Sequence, residues 1–150
     1  MKQNILIFTL IITIISCIPV LLWAQPSPIG EWYTRHPDFN EYTSITRIYT
    51  TPSGTLAGKV VKMLPIDGKM HYRCTKCHDE LKNKRFVGMD VIWGFKANNI
   101  HRTWVDGRIL DGKRGLIVPG KMWLSHDGNT LFVMGHIGPF SATVRWDRKL

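Results

Sequence analysis

The chain has 150 residues, with 20 Lys and Arg against 11 Asp and Glu, and 44% of its residues are hydrophobic. This composition excludes a collagen, a low-complexity chain, a coiled coil and a multi-pass membrane protein. The length predicts one domain of ordinary size, large enough to bury a core.

Residues 1–24 have the pattern of an export signal. A short positive start precedes an apolar run from Ile5 to Ala24, and a stretch containing Pro and Ser follows. This arrangement favours cleavage after Ala24. Two alternatives remain open: an uncleaved anchor, because a run of about 20 apolar residues can span a bilayer, and lipidation at Cys17. In each case the signal or anchor contacts the inner membrane, and residues 29–148 are expected in the periplasm or secreted.

The rest of the chain predicts β structure, because apolar residues alternate with a period of two and no segment keeps a helical period. Thr51-Pro52-Ser53-Gly54 separates two such segments as a hairpin turn. The expected strands are Gly30–Arg35, Thr43–Thr50, Thr55–Met63, Met89–Lys96, Ile100–Val105, Leu116–Leu124, Asn129–His136 and Phe140–Trp146. Short turns between them, Asp106-Gly107 among them, favour an antiparallel barrel or sandwich. Pro119-Gly120 is expected to bend or bulge its strand.

One long polar segment, residues 64–84, interrupts this regularity and contains Cys74 and Cys77. These cysteines are the only pair left once Cys17 departs with the signal, and exported domains usually hold such a pair as a disulfide. Cys74-Thr75-Lys76-Cys77-His78 also matches the c-type haem attachment motif. Zinc is a further alternative, with His71, Cys74, Cys77 and His78 as ligands. A thioredoxin-like redox pair is another, but it would need a helix after the first cysteine. We favour the disulfide and expect no metal and no cofactor.

Positive charge is densest in and just after the same segment. We call this set the basic loop; its residues are Arg73, Lys76, Lys82, Lys84 and Arg85. Outside the cytoplasm, a basic loop favours an anionic envelope component, such as lipid headgroups or polysaccharide phosphates, over nucleic acid. A solvated loop without a partner is the alternative.

An ordered set of short motifs carries a resemblance to a known family. The motifs are Gly30-Glu31-Trp32, Gly54-Thr55-Leu56-Ala57-Gly58, Cys74-Thr75-Lys76-Cys77, Ile109-Leu110-Asp111-Gly112-Lys113, Val133-Met134-Gly135-His136 and Arg145-Trp146-Asp147-Arg148. In this order they resemble the exported bacterial family catalogued as domain of unknown function twenty-one forty-seven. The resemblance implies an all-β fold, a small lipocalin-like antiparallel barrel of about eight strands over residues 29–148. It brings no catalytic residues. Gly112 and the Met134-Gly135-His136 stretch depart from the family pattern.

The Gly-x-Trp start is similar to that of lipocalin-type barrels, in which the Trp closes one end beneath an Arg from the last strand. Arg145 or Arg148 could supply this cation–π contact to Trp32. The remaining tryptophans of the body are expected to face the core; they are Trp93, Trp104, Trp123 and Trp146. An eight-stranded barrel can hold one small ligand or be filled by its own side chains. We expect filling.

Catalysis is not expected, because the chain lacks Gly-x-Ser-x-Gly, His-Glu-x-x-His and paired carboxylates at a recognisable spacing. Two hypotheses follow. The first is a non-catalytic binding module for a small apolar ligand or an anionic envelope component. The second is a structural or interaction protein of the envelope with a filled barrel. A deep apolar cavity would favour the first hypothesis.

The pattern of residues 1–24 predicts that the exported protein begins at Gln25. N-terminal sequencing and intact mass measurement of the protein from its own host test this. A chain that retains Met1 in the membrane fraction would indicate the anchor, and a lipid mass on Cys17 would indicate a lipoprotein.

Overall fold

The structure is a computed structural model that describes residues 26–39 and 41–150. The signal or anchor predicted for residues 1–24, with Cys17, lies outside the described residues. The strands are β1 (Gly30–Arg35), β2 (Tyr42–Thr50), β3 (Leu56–Met63), β4 (Asp90–Ala97), β5 (Thr103–Asp111), β6 (Leu116–Leu124), β7 (Thr130–Ile137) and β8 (Phe140–Arg148). A short 3₁₀ helix spans Asp79–Leu81. Within the described ranges, no helix is long and apolar enough to cross a bilayer.

Each strand pairs antiparallel with the next, and β8 pairs with β1, so the sheet is a closed barrel. The closing pairs are Trp32 with Arg148 and Tyr33 with Asp147. Closure removes the exposed edges that an open sheet would present. The predicted eight-stranded antiparallel barrel is confirmed.

Observed and predicted strand limits agree closely except in β5. The predicted strand Ile100–Val105 begins and ends too early, because Asp106-Gly107 is a bulge within β5 and not a turn. Trp104 pairs with Met122 and Gly107 with Gly120, which leaves two β5 residues opposite one on β6. An Asp-Gly pair is typical of a turn, but it also suits a bulge, because a bulge needs a residue that tolerates positive φ. Asp106 has a φ of 61°.

Gly107 is required at this bulge because the Phe95 ring lies against it. A Cβ built on Gly107 would overlap the Phe95 ring. The bend or bulge that we expected at Pro119-Gly120 of β6 lies instead on the neighbouring strand β5. Gly120 itself pairs regularly with Gly107.

Large side chains fill one end of the barrel, which we call the closed end. This main core consists of Trp32, Ile48, Leu56, Ile92, Phe95, Met122, Leu124, Leu131, Val133 and Trp146. A second cluster lies beneath the long segment, outside the main core; its buried members are Cys74, Cys77, Met89 and Leu110, and Leu81, Phe86, Val91 and Trp93 pack against them.

Strand β4 supplies both clusters because a bulge changes which face its residues occupy. Between the pairs of Leu56 with Phe95 and Gly58 with Ile92, β4 has one residue more than β3. Ile92 and Phe95 therefore both join the main core, while Trp93 packs in the second cluster. The period of two expected along the predicted strand Met89–Lys96 would place Trp93 and Phe95 on the same face, and this bulge separates them.

The tryptophans divide among three environments, so the expectation that all four remaining ones face the core is wrong. Trp146 is buried in the main core, and Trp104 packs against it. Trp93 belongs to the second cluster. Trp123 stacks on Phe132 at 5.4 Å between ring centroids and alternates with the buried Met122 and Leu124, which places it on the outer face.

The closed end is sealed by Trp32 and Arg148. Trp32 is fully buried, and its Nε1 donates to the Pro28 carbonyl at 2.8 Å. The Arg148 guanidinium lies 4.2 Å from the centroid of the Trp32 ring and donates to the carbonyls of Ser27, Ile29 and Gly128. Arg145, the other arginine predicted for this contact, instead pairs with Asp147 at 2.7 Å and is exposed.

Replacing Trp32 with Ala should lower the free energy of unfolding by about 3–5 kcal/mol, because it empties the centre of the closed end. Trp123→Ala is the matched control, since it removes an indole from the outer face, and its loss should be clearly smaller. Urea unfolding measures both. A loss below about 1 kcal/mol for Trp32→Ala would contradict a closed end built on this ring.

Candidate functional site

The end opposite Trp32 is hollow. A cavity of about 780 Å³ opens where β1 ends and β2 begins, an opening we call the mouth. Its deep walls are apolar and include Val60, Ile92, Ile109, Val133, Val144 and Trp146. The volume lies within the range of about 300–1,000 Å³ that is typical of small-molecule sites. The expectation of a filled barrel is therefore wrong for this half of the interior.

Small residues occupy one level of three neighbouring strands near this cavity. Gly120 of β6 pairs with Gly135 of β7, which pairs with Ala142 of β8. Ile109 packs into the gap over Gly120, where an added Cβ would overlap Ile109 Cδ1. Gly135 and Ala142 line the cavity, so larger side chains at these two positions would reduce its volume.

Ion pairs cross the mouth. We call the residues that form them the mouth cluster: His36, Asp38, Asp111, Lys113 and Arg114. Lys113 Nζ and Arg114 Nη2 each lie 2.9 Å from Asp38 Oδ2, and Arg114 Nη1 lies 2.8 Å from Asp111 Oδ2. Because β1 and β5 are four strands apart in an eight-stranded barrel, the two pairs of Asp38 join opposite sides of the opening. The pair of Asp111 and Arg114 lies within the turn after β5.

His36 holds its proton on a defined nitrogen in this cluster. The backbone N–H of Asp38 donates to His36 Nδ1 at 3.1 Å, so Nε2 carries the hydrogen of the neutral ring and donates to Asp111 Oδ1 at 3.0 Å. The Asp111 carboxylate also accepts the backbone N–H groups of Lys113 and Arg114. It thus ties the residues after β1 to the turn after β5.

The carboxylates of the mouth cluster are held in their charged form. Burial raises the pKa of Asp111, but hydrogen bonds from Arg114 and His36 outweigh burial and lower the pKa below its ordinary value of 3.8. The hydrogen bond from Lys113 lowers the pKa of Asp38. Both groups are therefore ionised at neutral pH, and the ion pairs are present there.

The disulfide predicted between Cys74 and Cys77 is present, and both residues are buried. Its two sulfur atoms are bonded to each other. Lys76 lies against the turn after β5, where a Cβ on Gly115 would overlap the Lys76 carbonyl oxygen. Gly115, with a φ of 73°, thereby allows the disulfide region to pack on that turn.

Residues of the basic loop border two different depressions. Arg73 and Lys76 line the mouth of the cavity. Lys84 and Arg85 border a shallow outer depression beside Trp93, and Lys82 lines neither region. Two of the five predicted cations therefore belong to the candidate site.

The fold and this site define a class: a lipocalin-like barrel, sealed at one end and hollow at the other. The chain belongs to the family described as "Uncharacterized protein conserved in bacteria (DUF2147)", whose model matches residues 30–148. The resemblance stated from the motifs is thus confirmed. Among curated proteins, no match is found.

A solved structure that is similar in fold is described by the words "Protein HP1028 from the human pathogen Helicobacter pylori belongs to the lipocalin family". Its TM-score is 0.67 at 15% sequence identity, and the match covers 83% of this chain and 84% of that chain. This likeness concerns the fold alone.

Sequence reasoning missed the mouth cluster. Asp111, Lys113 and Arg114 are adjacent in the chain, but their partners His36 and Asp38 lie about 75 residues earlier. The sequence does indicate one part of this cluster. The charged Asp-Gly-Lys-Arg stretch has the length of a hairpin turn, which predicts that it lies at one end of the barrel. Only the closed strand order shows that the residues after β1 reach it.

Replacing Asp111 with Asn should lower the free energy of unfolding by about 1.5 kcal/mol at neutral pH, the lower end for hydrogen bonds to charged groups. Because the pKa of Asp111 is lowered in the folded protein, its contribution is present above pH 3.8 and is lost as the pH falls through the folded value. Urea unfolding at neutral and strongly acidic pH measures this.

Asp106→Asn is the control, because the exposed Asp106 carboxylate at the bulge forms no ion pair among the described residues. The difference between the Asp111 variant and the unmodified protein should shrink in acid, whereas the control should match the unmodified protein throughout. An equal loss for both variants would contradict the role of Asp111.

Proposed function

We propose that this protein is an extracytoplasmic, non-catalytic binding module for a small apolar ligand. The observation that carries the proposal is the cavity of about 780 Å³, apolar in its depth and reached through a polar mouth. Binding sites for small molecules commonly combine apolar walls with a few placed polar groups.

The energetics favour an occupant. Protein interiors are usually packed as densely as organic crystals, and an apolar cavity offers water few hydrogen-bond partners. Apolar ligand surface that leaves water for these walls contributes about 25 cal/mol per Å². The closed hydrogen-bonded sheet keeps the space open before a ligand arrives, which reduces the ordering cost of binding.

Two features support a location outside the cytoplasm. Residues 1–24 have the composition of an export signal. The disulfide between Cys74 and Cys77 is of a kind that persists in oxidising compartments. The second hypothesis, a structural envelope protein, depended on a filled barrel, and the hollow end takes away that premise.

A neutral, environment-sensitive probe, N-phenyl-1-naphthylamine, should bind the protein at one site and gain fluorescence. Val144→Trp should weaken this binding at least about tenfold, because Val144 faces the cavity and an indole would occupy it; tenfold corresponds to about 1.4 kcal/mol. Fluorescence titration measures the affinity.

Thr143→Trp is the matched control, since it adds the same indole to the adjacent exposed position on the same strand. It should leave binding within about twofold of the unmodified protein. Native mass spectrometry of protein from its own host adds a second readout, a retained small molecule. A protein that neither binds the probe nor retains a small molecule would contradict the proposed function.

A further inference from the structure

We propose that the ligand is a single-chain amphiphile with an anionic head, a carboxylate or a phosphate monoester, and that Arg73 and Lys76 bind this head at the mouth. The inference rests on the proposed function and specifies the chemistry of its ligand.

Cations outnumber carboxylates around the mouth. Five cations line the cavity: Arg35, Arg73, Lys76, Lys113 and Arg114. The lining contains two carboxylates, Asp38 and Asp111. Both already pair with other residues of the mouth cluster. Arg35 pairs with Asp147 and lies over the Tyr42 ring. Arg73 and Lys76 are left without a carboxylate partner in residues 26–39 and 41–150.

Neighbouring acids do not neutralise this pair. Asp79 and Glu80 lie in the same long segment, and neither forms an ion pair with Arg73 or Lys76 in the described chain. The same cavity that these two cations line has apolar deep walls. An occupant that suits both parts has a hydrocarbon tail and a negatively charged end.

The backbone at both cations, Arg73 and Lys76, is held in place. One residue of the pair precedes Cys74 and the other precedes Cys77, so the disulfide fixes the backbone at both positions. Arg73 Nη1 donates to the Asn83 carbonyl at 2.8 Å, which orients the guanidinium and leaves other N–H groups for a ligand. Lys76 is fixed by the contact of its carbonyl with the turn at Gly115.

The chemistry of the pair matches a carboxylate or a phosphate. A guanidinium presents paired N–H groups that fit the two oxygens of either anion, and a lysine ammonium adds a charge-assisted hydrogen bond. Next to apolar walls the attraction is screened less than in bulk water. An uncharged occupant would gain at most a hydrogen bond from either cation, without the ion-pair attraction.

The test compares three ligands of equal chain length: dodecanoate, dodecyl phosphate and the neutral dodecanol, each titrated against the bound N-phenyl-1-naphthylamine. In the double variant Arg73→Gln/Lys76→Gln, the affinity for the better anion should fall about tenfold, while that for dodecanol should stay within about twofold. The two anions distinguish a carboxylate site from a phosphate site.

Lys62→Gln/Lys96→Gln is the control of equal charge, because both lysines are exposed on strands and do not line the cavity. It should bind all three ligands as the unmodified protein does. Equal losses for the anions in both double variants would overturn the proposal, since they would reflect net charge alone.

A third variant tests the positioning by the disulfide. Cys74→Ala/Cys77→Ala should reproduce the selective loss for anions while circular dichroism and dodecanol binding show an intact barrel. Unchanged anion affinity in Arg73→Gln/Lys76→Gln overturns the head-group site but leaves the proposed function standing. Failure of every ligand, dodecanol included, to bind the unmodified protein overturns both.

Discussion

The contact on which the architecture depends is the one between the first and last strands. Trp32 and Arg148 are neighbours in the closing pair of β1 and β8, and their side chains stack at the closed end. Hydrogen bonds from Arg148 to three backbone carbonyls bind the chain before β1 to the turn between β6 and β7. The first and last strands thereby stabilise each other, and each of the eight described strands has two neighbours. Because the stabilising apolar packing is concentrated at this end, the opposite end does not need to be filled.

The hollow end is maintained by backbone pairing and polar contacts. Gly135 and Ala142 carry little or no side chain where they line the cavity, and the continuous hydrogen-bonded sheet prevents the wall from collapsing into the space. Across the opening, Asp38 pairs with Lys113 and Arg114 of the turn after β5, and His36 pairs with Asp111 at the end of β5. These pairs are partly exposed, so each contributes modestly to stability. Their main consequence is geometric, since they set which parts of the mouth stay open to a ligand.

Much of this fold follows from local sequence patterns, and the site follows from them only in part. Strand β1 and strand β6 lie where their alternating residues predict, and Cys74 and Cys77 form the expected bridge. The failures share a cause. Asp106-Gly107 is a bulge because the Phe95 ring from a neighbouring strand occupies the place of a side chain. Trp123 lies outside because its neighbours Met122 and Leu124 take the inner positions. The mouth cluster joins residues about 75 positions apart. All three features depend on which residues from different strands face each other in the closed barrel. A short stretch of sequence does not contain that information.

The disulfide shows how a contact of small energetic weight can have a functional consequence. It closes a ring of a few residues, so its contribution to stability is below the roughly 3 kcal/mol of a 15-residue loop. Its burial in the second cluster beside Met89 and Leu110 attaches the long segment to the outer faces of β4 and β5. Arg73 and Lys76 then have defined positions at the edge of the cavity, where a free loop of the same composition would lose binding energy to the ordering of two long side chains. The second cluster therefore fixes where the backbone of Arg73 and Lys76 lies relative to the apolar cavity.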